Sequence, residues 1–440
     1  MAKLKLALLG AGCRGKDTYA NIILKNNLDA EFVAVVEPVK EKRNQMMQWF
    51  NIKSEMCFEY EDKFFEKGKI CDAVIIATQD ELHYKQAIGA LNLGYDIILE
   101  KPISMSITET LEIEKLAREK NAKVLVCHVL RYHNLWNKIK KILDSGKLGK
   151  IISINHTENI GHYHMSHSFV RGMWNNSETS GPIVLTKSCH DLDLLSWLTD
   201  SKCKKISSFG NLSFFNETNA PKDSAKRCAD CKINDSCPYE GMHVYTKEGG
   251  FSANSFTNNK NGISDIKNGL DNTKYGNCVF RAGNNVCDNQ TTIIEFENGV
   301  TCSFVLNAFT RESTREIKIY CEKGTIVADE KKIKVTNFKL RNLVSGEILK
   351  FLNIEHGISK TYRVKSIFNI KDYIYGHGGS DYRFTSSFVN ALNKKEDAKT
   401  SIHNSIESHL MAFAAEKSRI ENRVVNMEEF KKELNFKVNN

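Results

Sequence analysis

The fold of this chain is decided near its start, by the stretch Lys5-Leu6-Ala7-Leu8-Leu9-Gly10-Ala11-Gly12-Cys13-Arg14-Gly15. An apolar run that predicts a buried strand ends in G-x-G-x-x-G, and a helical pattern follows. Gly10 permits the tight turn, Gly12 lets the backbone approach a pyrophosphate, and Gly15 lets the helix pack on its strand. The helix N-terminus offers free N–H groups to phosphates. We therefore predict a dinucleotide-binding unit, with a plain glycine-rich turn as the alternative.

The composition is that of a globular chain with two or three domains. Its 440 residues exceed one ordinary core, and 41% are hydrophobic and 26% charged. The formal net charge of +9, from 62 basic and 53 acidic residues, is scattered, so we expect no nucleic-acid partner. No apolar run reaches the ~18 residues of a membrane span and no signal peptide precedes the first strand. We therefore expect no membrane partner and a cytoplasmic location.

Glu37 ends the second predicted strand, residues 31–38, at 22 residues after Gly15. A dinucleotide fingerprint expects an acidic residue about 20 residues on, where its carboxylate accepts hydrogen bonds from the ribose hydroxyls. Because a carboxylate there repels a 2′-phosphate, Glu37 favours NAD over NADP. The alternative is a surface glutamate at a strand end.

Two later strands, residues 72–78 and 96–99, flank a helix and predict a βαβ unit whose carboxyl ends face a ligand crevice. Together the Gly10–Gly15 loop, the Ala77-Thr78…His83 turn and Glu100-Lys101-Pro102 resemble the Gfo/Idh/MocA family of nicotinamide-dependent oxidoreductases, typified by glucose–fructose oxidoreductase and inositol dehydrogenase. The resemblance implies that Lys101 is a substrate-binding and catalytic lysine, against the alternative of a surface lysine before a turn. The cofactor site that we predict comprises Gly10, Gly12, Cys13, Arg14, Gly15, Glu37, Thr78, Asp80, His83, Glu100 and Lys101.

The segment from His162 to Trp174 packs three histidines, an arginine and three aromatic side chains into 13 residues. One interpretation is a buried, aromatic-rich helix start. We favour a polyol pocket, in which Trp174 offers a sugar a flat face and His164, His167 and Arg171 bind its hydroxyls. A metal site is a third possibility, although no carboxylate stands at a fixed spacing.

A second chemical centre lies in residues 181–198. Lys187 and His190 stand one turn apart at a predicted helix start, so they can share a face. The family segment typically reads Asp-x-x-x-His-x-x-Asp; here His190 and Asp193 match, but Thr186 replaces the first Asp. This departure resembles a subgroup with Lys-x-x-His-Asp and leaves the usual Asp–His pairing and substrate open.

We predict that His190 is the general base, since an imidazole titrates near ~6.5, and that Lys187 binds or polarises the same hydroxyl. A histidine capping a core helix is the alternative. The family commonly has an Arg or Asn near Arg131, and the Gly376–Asp381 turn resembles a family turn at the pocket edge, although that turn is equally a capped helix start. The predicted substrate contacts are Arg131, His164, His167, Arg171, Trp174, Asp191 and His377.

Most of the 13 cysteines stand singly in apolar runs and are expected to be buried thiols. One cluster differs: Cys228, Cys231 and Cys237 have metal-ligand spacing, and Cys278 is the best fourth ligand, with Cys287 next. We predict one structural zinc in a Cys-rich insertion at about residues 220–290. An iron–sulfur cluster and free thiols are the alternatives.

The predicted fold class is α/β. A Rossmann domain covers residues 1–125, and an α/β domain built on an open, largely antiparallel sheet covers 126–440. Asn298-Gly299 between two alternating runs predicts a hairpin, whereas the polar segment 241–276 predicts a long loop with limited structure, with helix as the alternative. The resemblance covers nearly the whole chain, thins between 203 and 290, and implies a homo-oligomer formed through the C-terminal sheet.

The function that we predict is hydride transfer between a nicotinamide and a hydroxyl-bearing carbon of a sugar, cyclitol or glycoside. One alternative is an NAD-dependent glycosidase that oxidises its substrate transiently to a 3-keto sugar, which permits elimination of the aglycone. The other is a regulatory protein that senses NAD, which would need no lysine–histidine pair at one carbon.

Overall fold

A computed structural model describes residues 3–247, 253–257, 262–338, 358–364, 370–394 and 398–438. In these ranges the strands are β1 Leu4–Leu9, β2 Ala30–Val36, β3 Cys57–Phe58, β4 Ala73–Ile76, β5 Asp96–Leu99, β6 Val124–Val126, β7 Ile151–Asn159, β8 Cys203–Asn211, β9 Asn289–Phe296, β10 Thr301–Asn307, β11 Thr314–Cys321, β12 Gly324–Asp329, β13 Lys332–Asn337, β14 Ile358–Arg363 and β15 Val425–Asn426.

The helices of the same ranges begin with a π-helical segment, Cys13–Ala20, that continues into α1. They are α1 Asn21–Lys25, α2 Lys40–Phe50, α3 Glu61–Phe65, α4 His83–Asn92, α5 Ile107–Glu119, α6 Asn134–Asp144, α7 His162–His164, α8 Ser177–Ser180, α9 Ile183–Thr186, α10 Cys189–Thr199, α11 Gly241–Thr246, α12 Asn254–Thr257, α13 Ile263–Asn272, α14 Lys371–Ile374, α15 Gly376–Lys394, α16 Ile402–Glu421 and α17 Met427–Val438. Helix α15 is kinked at His377–Gly379, where the backbone is left-handed.

The first part of the chain forms a parallel sheet. Within the described residues its six strands run in the order β3-β2-β1-β4-β5-β6. Leu6 and Leu8 of β1 enter one apolar cluster and Ala7 and Leu9 enter the other, on the opposite face. A strand that is buried on both faces has a continuous apolar sequence, which is why β1 could be identified. The predicted Rossmann-like sheet is confirmed, and its switch point lies beside β1, where such sheets bind ligands.

A helix from far downstream covers one face of this sheet. Phe384 and Phe388 of α15 lie in the same cluster as Leu6 and Phe32, and the rings of Tyr19 and Phe384 have centroids 6.1 Å apart. By packing, α15 therefore belongs to the first sheet, and the division of the chain at residue 125 stays a prediction.

The second sheet is open and mostly antiparallel, as predicted. Its described strands run β14-β13-β12-β11-β7-β10-β9-β8-β15. Of its described pairings, β7–β10 is parallel and the others are antiparallel. The hairpin between β9 and β10 is confirmed, and Gly299 in its turn has a φ of +86°. The outer face exposes Phe209, Ile293, Tyr320 and Val327, but oligomerisation through this sheet stays a prediction.

The polar segment after Gly241 differs from its prediction as a loop. Its described part holds α11, α12 and α13, and Val244, Tyr245, Ile266 and Leu270 form a small separate core. Ile266 and Leu270 are four residues apart and so share one helical face. The abundance of Asn, Ser and Lys around them concealed this short apolar stripe.

Across the described ranges, no helix combines the length and the apolar character needed to cross a membrane.

Candidate active site

The loop after β1 has the shape that a pyrophosphate needs. Gly10 has a φ of +88°, and a Cβ there would lie 2.5 Å from the carbonyl oxygen of Ala77. A Cβ on Gly15 would lie 2.0 Å from the carbonyl oxygen of Gly10. A Cβ on Gly12, by contrast, would meet nothing within 4 Å, so open space lies above the loop. The helix begins at Cys13, which is exposed, and its first N–H groups have no partner within the helix. These residues fit the phosphates of a dinucleotide.

Glu37 lies beside this loop at the end of β2. Its Oε2 accepts the N–H of Ala11 at 2.7 Å, and its Oε1 accepts the N–H of Val39 at 3.0 Å. These bonds fix the carboxylate, and each oxygen keeps a lone pair that can accept a further hydrogen bond. The geometry fits the predicted ribose contact.

Arg14 ties the loop to two other parts of the chain. Its Nε donates to Glu100 Oε1 at 2.7 Å and its NH1 to Asp381 Oδ1 at 3.1 Å, and the hydroxyl of Tyr19 also donates to Glu100. Although burial alone would raise the pKa of Asp381, Arg14 and then His377 hold it well below its usual value. Arg14 and Glu100 therefore hold each other and fix the loop, and their direct contact with a cofactor stays a prediction.

The turn after β4 carries the next three predicted cofactor residues. The Thr78 hydroxyl donates to a glutamine of α4 at 2.7 Å, and Asp80 accepts the indole N–H of Trp174 at 2.8 Å. The ring Nδ1–H of His83 donates to the carbonyl oxygen of Pro102 at 2.8 Å. Its Nε2 is buried and has no hydrogen-bond partner among the described atoms, so it can accept one from a bound molecule.

Lys101 brings the two sheets together at the site. It follows β5, and its peptide bond to Pro102 is cis. Its Nζ donates to the carbonyl oxygen of Thr186 at 2.6 Å. Thr186 lies one turn before His190, so Lys101 is brought to the segment that carries the other residue predicted to be catalytic, 89 positions away in the sequence.

His190 is held as a neutral imidazole. Burial, followed by the positive charge of Lys101, lowers the pKa of His190 well below its usual value. Its Nδ1 lies 3.3 Å from Nδ1 of His128. A group that takes a proton must be unprotonated, so this environment suits a general base.

Lys187 leads into a buried ion cluster, which we define as Lys187, Glu158, Arg315, Asp191 and His156. Lys187 Nζ lies 3.5 Å from Glu158 Oε1. Arg315 donates to both oxygens of Asp191, at 2.7 and 2.8 Å, and to Glu158. His156 Nε2–H donates to Asp191 at 2.7 Å. Arg315 and Glu158 are direct neighbours in the pairing of β11 with β7, which explains their contact.

The buried ion cluster sets the charges of its members. Although burial alone would raise the pKa of Asp191, Arg315 and His156 hold it well below its usual value. Burial, and then Asp191, raise the pKa of Glu158. Burial lowers the pKa of Lys187 against the opposing effect of Glu158, so this lysine exchanges a proton more readily than a free one. Asp191 is fully buried and engaged within the cluster, and the structure does not place it where a substrate could reach it.

Three other predicted substrate contacts come close to this centre. His164 lies near Lys187 and Lys101, whose charges add to the effect of burial in lowering its pKa. Trp174 reaches Asp80 through its indole. His377 lies with its Nδ1 3.2 Å from Asp381, and its charge contributes to the low pKa of His190.

The remaining three have polar groups engaged by other parts of the chain. The guanidinium of Arg131 forms a bidentate pair with Asp193, at 2.7 and 2.8 Å. His167 stacks on Tyr275, with ring centroids 5.0 Å apart, and its Nδ1 is hydrogen-bonded to the hydroxyl of Tyr245. Arg171 donates to backbone carbonyls of the Cys-rich insertion, at 2.6 and 2.7 Å. Their predicted contacts with a substrate gain no support.

The four predicted metal ligands line one cavity of about 20 Å³, which contains Cys228, Cys231, Cys237 and Cys278. Cys287, the other candidate, is not among its lining residues. No three His, Cys, Asp or Glu side chains of the described residues are placed to hold a metal ion. The metal therefore stays a prediction.

Family models match both parts of the chain. One, described as an oxidoreductase family with an NAD-binding Rossmann fold, matches residues 4–128. The other, the C-terminal alpha/beta domain of the same oxidoreductase family, matches residues 140–427. The chain belongs to the Gfo/Idh/MocA family.

Curated relatives of this Gfo/Idh/MocA protein are oxidoreductases. The Bacillus subtilis oxidoreductase YteT is 28% identical over 186 residues, which are 41% of this chain and 43% of the relative. Inositol 2-dehydrogenase of Salmonella paratyphi B is 25% identical over 207 residues, which are 46% of this chain and 56% of that enzyme. The chain thus spans about half the length of these relatives.

Solved structures share the whole fold. An Agrobacterium radiobacter oxidoreductase in complex with NAD+, L-tartaric acid and magnesium has a TM-score of 0.67 at 15% identity, over 97% of this chain and 99% of that one. Scyllo-inositol dehydrogenase of Lactobacillus casei with bound NAD(H) and scyllo-inositol has a TM-score of 0.64 at 18% identity, with the same coverage. At these identities the likeness shows the fold alone.

Sequence reasoning missed several buried polar residues of this Gfo/Idh/MocA site. His156 and Glu158 alternate with Ile154 on the inward face of β7, so their period of two was a usable signal for polar groups at core positions. His128 follows β6 at the carboxyl edge of the parallel sheet, which also marks it. Nothing local in the sequence pairs Arg315 with Asp191.

Proposed function

We propose that this chain is an NAD-dependent oxidoreductase that moves a hydride between the nicotinamide and a hydroxyl-bearing carbon of a sugar, cyclitol or glycoside. The observation that supports this most is the meeting of Lys101 with the segment that carries His190, on the carboxyl edge of the parallel sheet. The family membership and the inositol dehydrogenases among the relatives agree with this substrate class.

Each residue then has a defined task. Bound NAD+ supplies the hydride acceptor. His190 takes the proton of the substrate hydroxyl, while the hydride leaves the same carbon and a carbonyl forms. Lys101 donates a hydrogen bond to that oxygen in exchange for the Thr186 carbonyl. Lys187, with its lowered pKa, polarises a neighbouring hydroxyl, and Trp174 offers an apolar face to the ring.

A panel of sugars, cyclitols and aryl glycosides tests the proposal. Net NADH formation from one class supports it. Release of an aglycone without net NADH would instead support the glycosidase alternative, which the replacement of Asp by Thr186 before Lys187 keeps open. Cofactor binding without any turnover would favour the NAD sensor.

We also propose that Glu37 selects NAD over NADP. Wild-type protein is expected to bind NADH at least tenfold more tightly than NADPH, because the buried carboxylate repels a 2′-phosphate. Glu37→Gln should reduce this preference and weaken NADH binding by about tenfold, since Ala11 and Val39 lose a charged acceptor. Fluorescence titration with both nucleotides measures this.

Glu41 is the matched control, because it is exposed at the start of α2. Glu41→Gln should leave both affinities unchanged. Wild-type protein that binds NADPH as tightly as NADH would show that Glu37 is misassigned.

We also propose that a structural zinc is held by Cys228, Cys231, Cys237 and Cys278, which line one cavity. Arg171 is 1% exposed, and its NH2 lies 3.5 Å from Cys228 Sγ. Its NH1 is buried without a hydrogen-bond partner among the described atoms. A buried guanidinium needs a negative charge nearby. Four thiolates around Zn²⁺ carry a net charge of −2, which would supply it.

We expect one zinc per chain when the protein is purified anaerobically without chelator. Cys228→Ser should lose the metal and lower the unfolding midpoint, because the insertion buries little apolar area of its own. Cys287→Ser is the control and should keep the metal, since Cys287 does not line the cavity. Elemental analysis decides between these outcomes. Iron with labile sulfide would support the iron–sulfur cluster in place of zinc. Protein free of metal would refute the metal site.

A further inference from the structure

The atom of His190 that most needs a partner is Nδ1. A neutral imidazole has one ring proton, so His190 can accept a substrate proton at Nε2 only when its own proton is on Nδ1. Thr186 does not fix this proton, because its hydroxyl donates to the Pro182 carbonyl at 3.3 Å and its carbonyl accepts Lys101. The described neighbour of Nδ1 is instead His128, whose own Nδ1 lies 3.3 Å away.

The protons of this group can be placed from its far end. The backbone N–H of Ile103 donates to Nε2 of His409 at 3.0 Å. Burial lowers the pKa of His409 to about 3, so the ring is neutral and its proton is on Nδ1. That proton faces the carbonyl oxygen of Ser405 at 3.3 Å and the hydroxyl oxygen of Ser408 at 3.2 Å.

Ser408 carries this assignment to His128. The Ser408 hydroxyl donates to the Ser405 carbonyl at 2.7 Å, so its oxygen accepts from Nε2 of His128, 3.4 Å away. Asp193 Oδ1 lies 3.9 Å from the same nitrogen and favours a proton there. The lone pair of His128 is therefore on Nδ1, where it can accept the Nδ1–H of His190.

We propose that His128, held by Ser408 and His409, is the positioning residue that fixes the tautomer of His190 and leaves its Nε2 free to take the substrate proton. The kinetic consequence rests on the function proposed above. As the substrate O–H and C–H bonds break, the proton goes to His190 Nε2 and the hydride to the nicotinamide. The resulting imidazolium keeps its Nδ1–H bond to His128.

Burial makes the arrangement specific. His128 and His409 are 0% exposed and Ser408 is 1% exposed, so water does not compete for their hydrogen bonds. The group joins the end of β6 to α16, and His128 and Ser408 are 280 positions apart. This group fixes the proton on Nδ1 of His190. An aspartate at position 186 cannot do so here, because Thr186 occupies that position.

His128→Leu is expected to lower kcat on the order of 10²-fold, because His190 then populates the wrong tautomer, while KM and NADH affinity change less than about twofold. His128→Asn should recover at least tenfold of this loss, since an amide oxygen can stand where Nδ1 accepts. Ser408→Ala should lower kcat about tenfold, because Asp193 remains near Nε2 of His128.

Ser405→Ala is the matched control for Ser408→Ala. Its hydroxyl lies three residues earlier on the same helix, is buried, and has no described hydrogen-bond partner. Loss of this hydroxyl should leave kcat unchanged. Equal losses in both serine variants, or no recovery in His128→Asn, would show a role in packing alone and overturn the proposal.

A second measurement needs no turnover. In full-length protein labelled with ¹⁵N-histidine, nuclear magnetic resonance should place the ring proton of His190 on Nδ1. The signal is assigned by comparison with His190→Ala. In His128→Leu the single ring proton should be divided between the Nδ1 and Nε2 tautomers. A wild-type proton on Nε2 would overturn the inference. Failure of the whole substrate panel would overturn the proposed oxidoreductase function instead, and the tautomer would still be measured.

Discussion

Replacing His190 with alanine is expected to lower kcat by about 10³-fold, because the hydroxyl proton then has no acceptor in the site. The Kd for NADH should stay within about twofold of the wild-type value, since His190 lies on α10 and the glycine loop lies after β1. Lys101→Ala should lower turnover to a similar extent, because it removes the cation that binds the same oxygen. Steady-state measurement of NADH formation gives kcat, and fluorescence titration gives the Kd for NADH.

The pH dependence of the wild-type protein follows from the same residue. His190 works as a base only when it is unprotonated, so activity is lost as pH falls through its pKa. Burial, and then Lys101, lower that pKa, so the acidic limb of kcat/KM should lie below the usual value of ~6.5. An acidic limb above that value would contradict the environment described for His190.

A surface histidine supplies the control. His403 is exposed and its Nδ1 is paired with Glu114, away from the residues of the site, so His403→Ala should leave kcat unchanged. If Lys101→Ala and His190→Ala both keep wild-type turnover, the enzyme assignment itself is wrong.

Replacing Arg315 with methionine is expected to destabilise the fold by about 3–5 kcal/mol, because it leaves the buried carboxylate of Asp191 without its cation and that of Glu158 with Lys187 alone. Glu158 and Asp191 are 1% and 0% exposed, so water cannot take the place of the guanidinium. Arg315→Lys should cost less, since it keeps the charge but loses the bidentate contact with Asp191. Denaturant unfolding of the full chain measures the differences.

The loss in free energy of unfolding caused by Arg315→Met should depend on pH. The folded-state pKa of Asp191 is depressed, so the stability that it contributes is present above its unfolded pKa of ~3.9 and is lost as pH falls towards its folded value. The difference between variant and wild type should therefore be largest near pH 7 and shrink below pH ~4.

Arg118 is the matched control, because its side chain is 71% exposed in a pair with Glu114 one helical turn away. Arg118→Met should cost less than about 0.5 kcal/mol. A deficit for Arg315→Met that is constant with pH would indicate lost packing rather than unpaired charge.

Local patterns were sufficient wherever the chemistry depends on neighbours in sequence. The glycine loop, the buried strands of the first sheet and the β9–β10 hairpin each occupy a short stretch whose residue types allow few backbone conformations. Lys101 and His190 were predicted as catalytic from motifs at element ends, and the structure brings Lys101 to the segment that carries His190, but their catalytic roles stay a prediction. For the segment after Gly241 the favoured loop was wrong and the helical alternative is what the structure shows, because a short apolar stripe lies within a polar composition.

The sequence by itself therefore determined the Rossmann unit, because its glycine spacing is short-range, and its motifs carried the resemblance to the family that the family models confirm. Lys101 and His190 as the reacting pair stay a prediction. Only the tertiary structure decided which buried groups support them. The contact of Arg315 with Asp191 spans 124 positions and that of His128 with Ser408 spans 280. Such contacts depend on which strands and helices become neighbours in the folded protein. The residues around each partner in the sequence do not determine this. For the same reason Arg131 and Arg171, plausible sugar ligands by sequence, became partners of Asp193 and of the Cys-rich insertion.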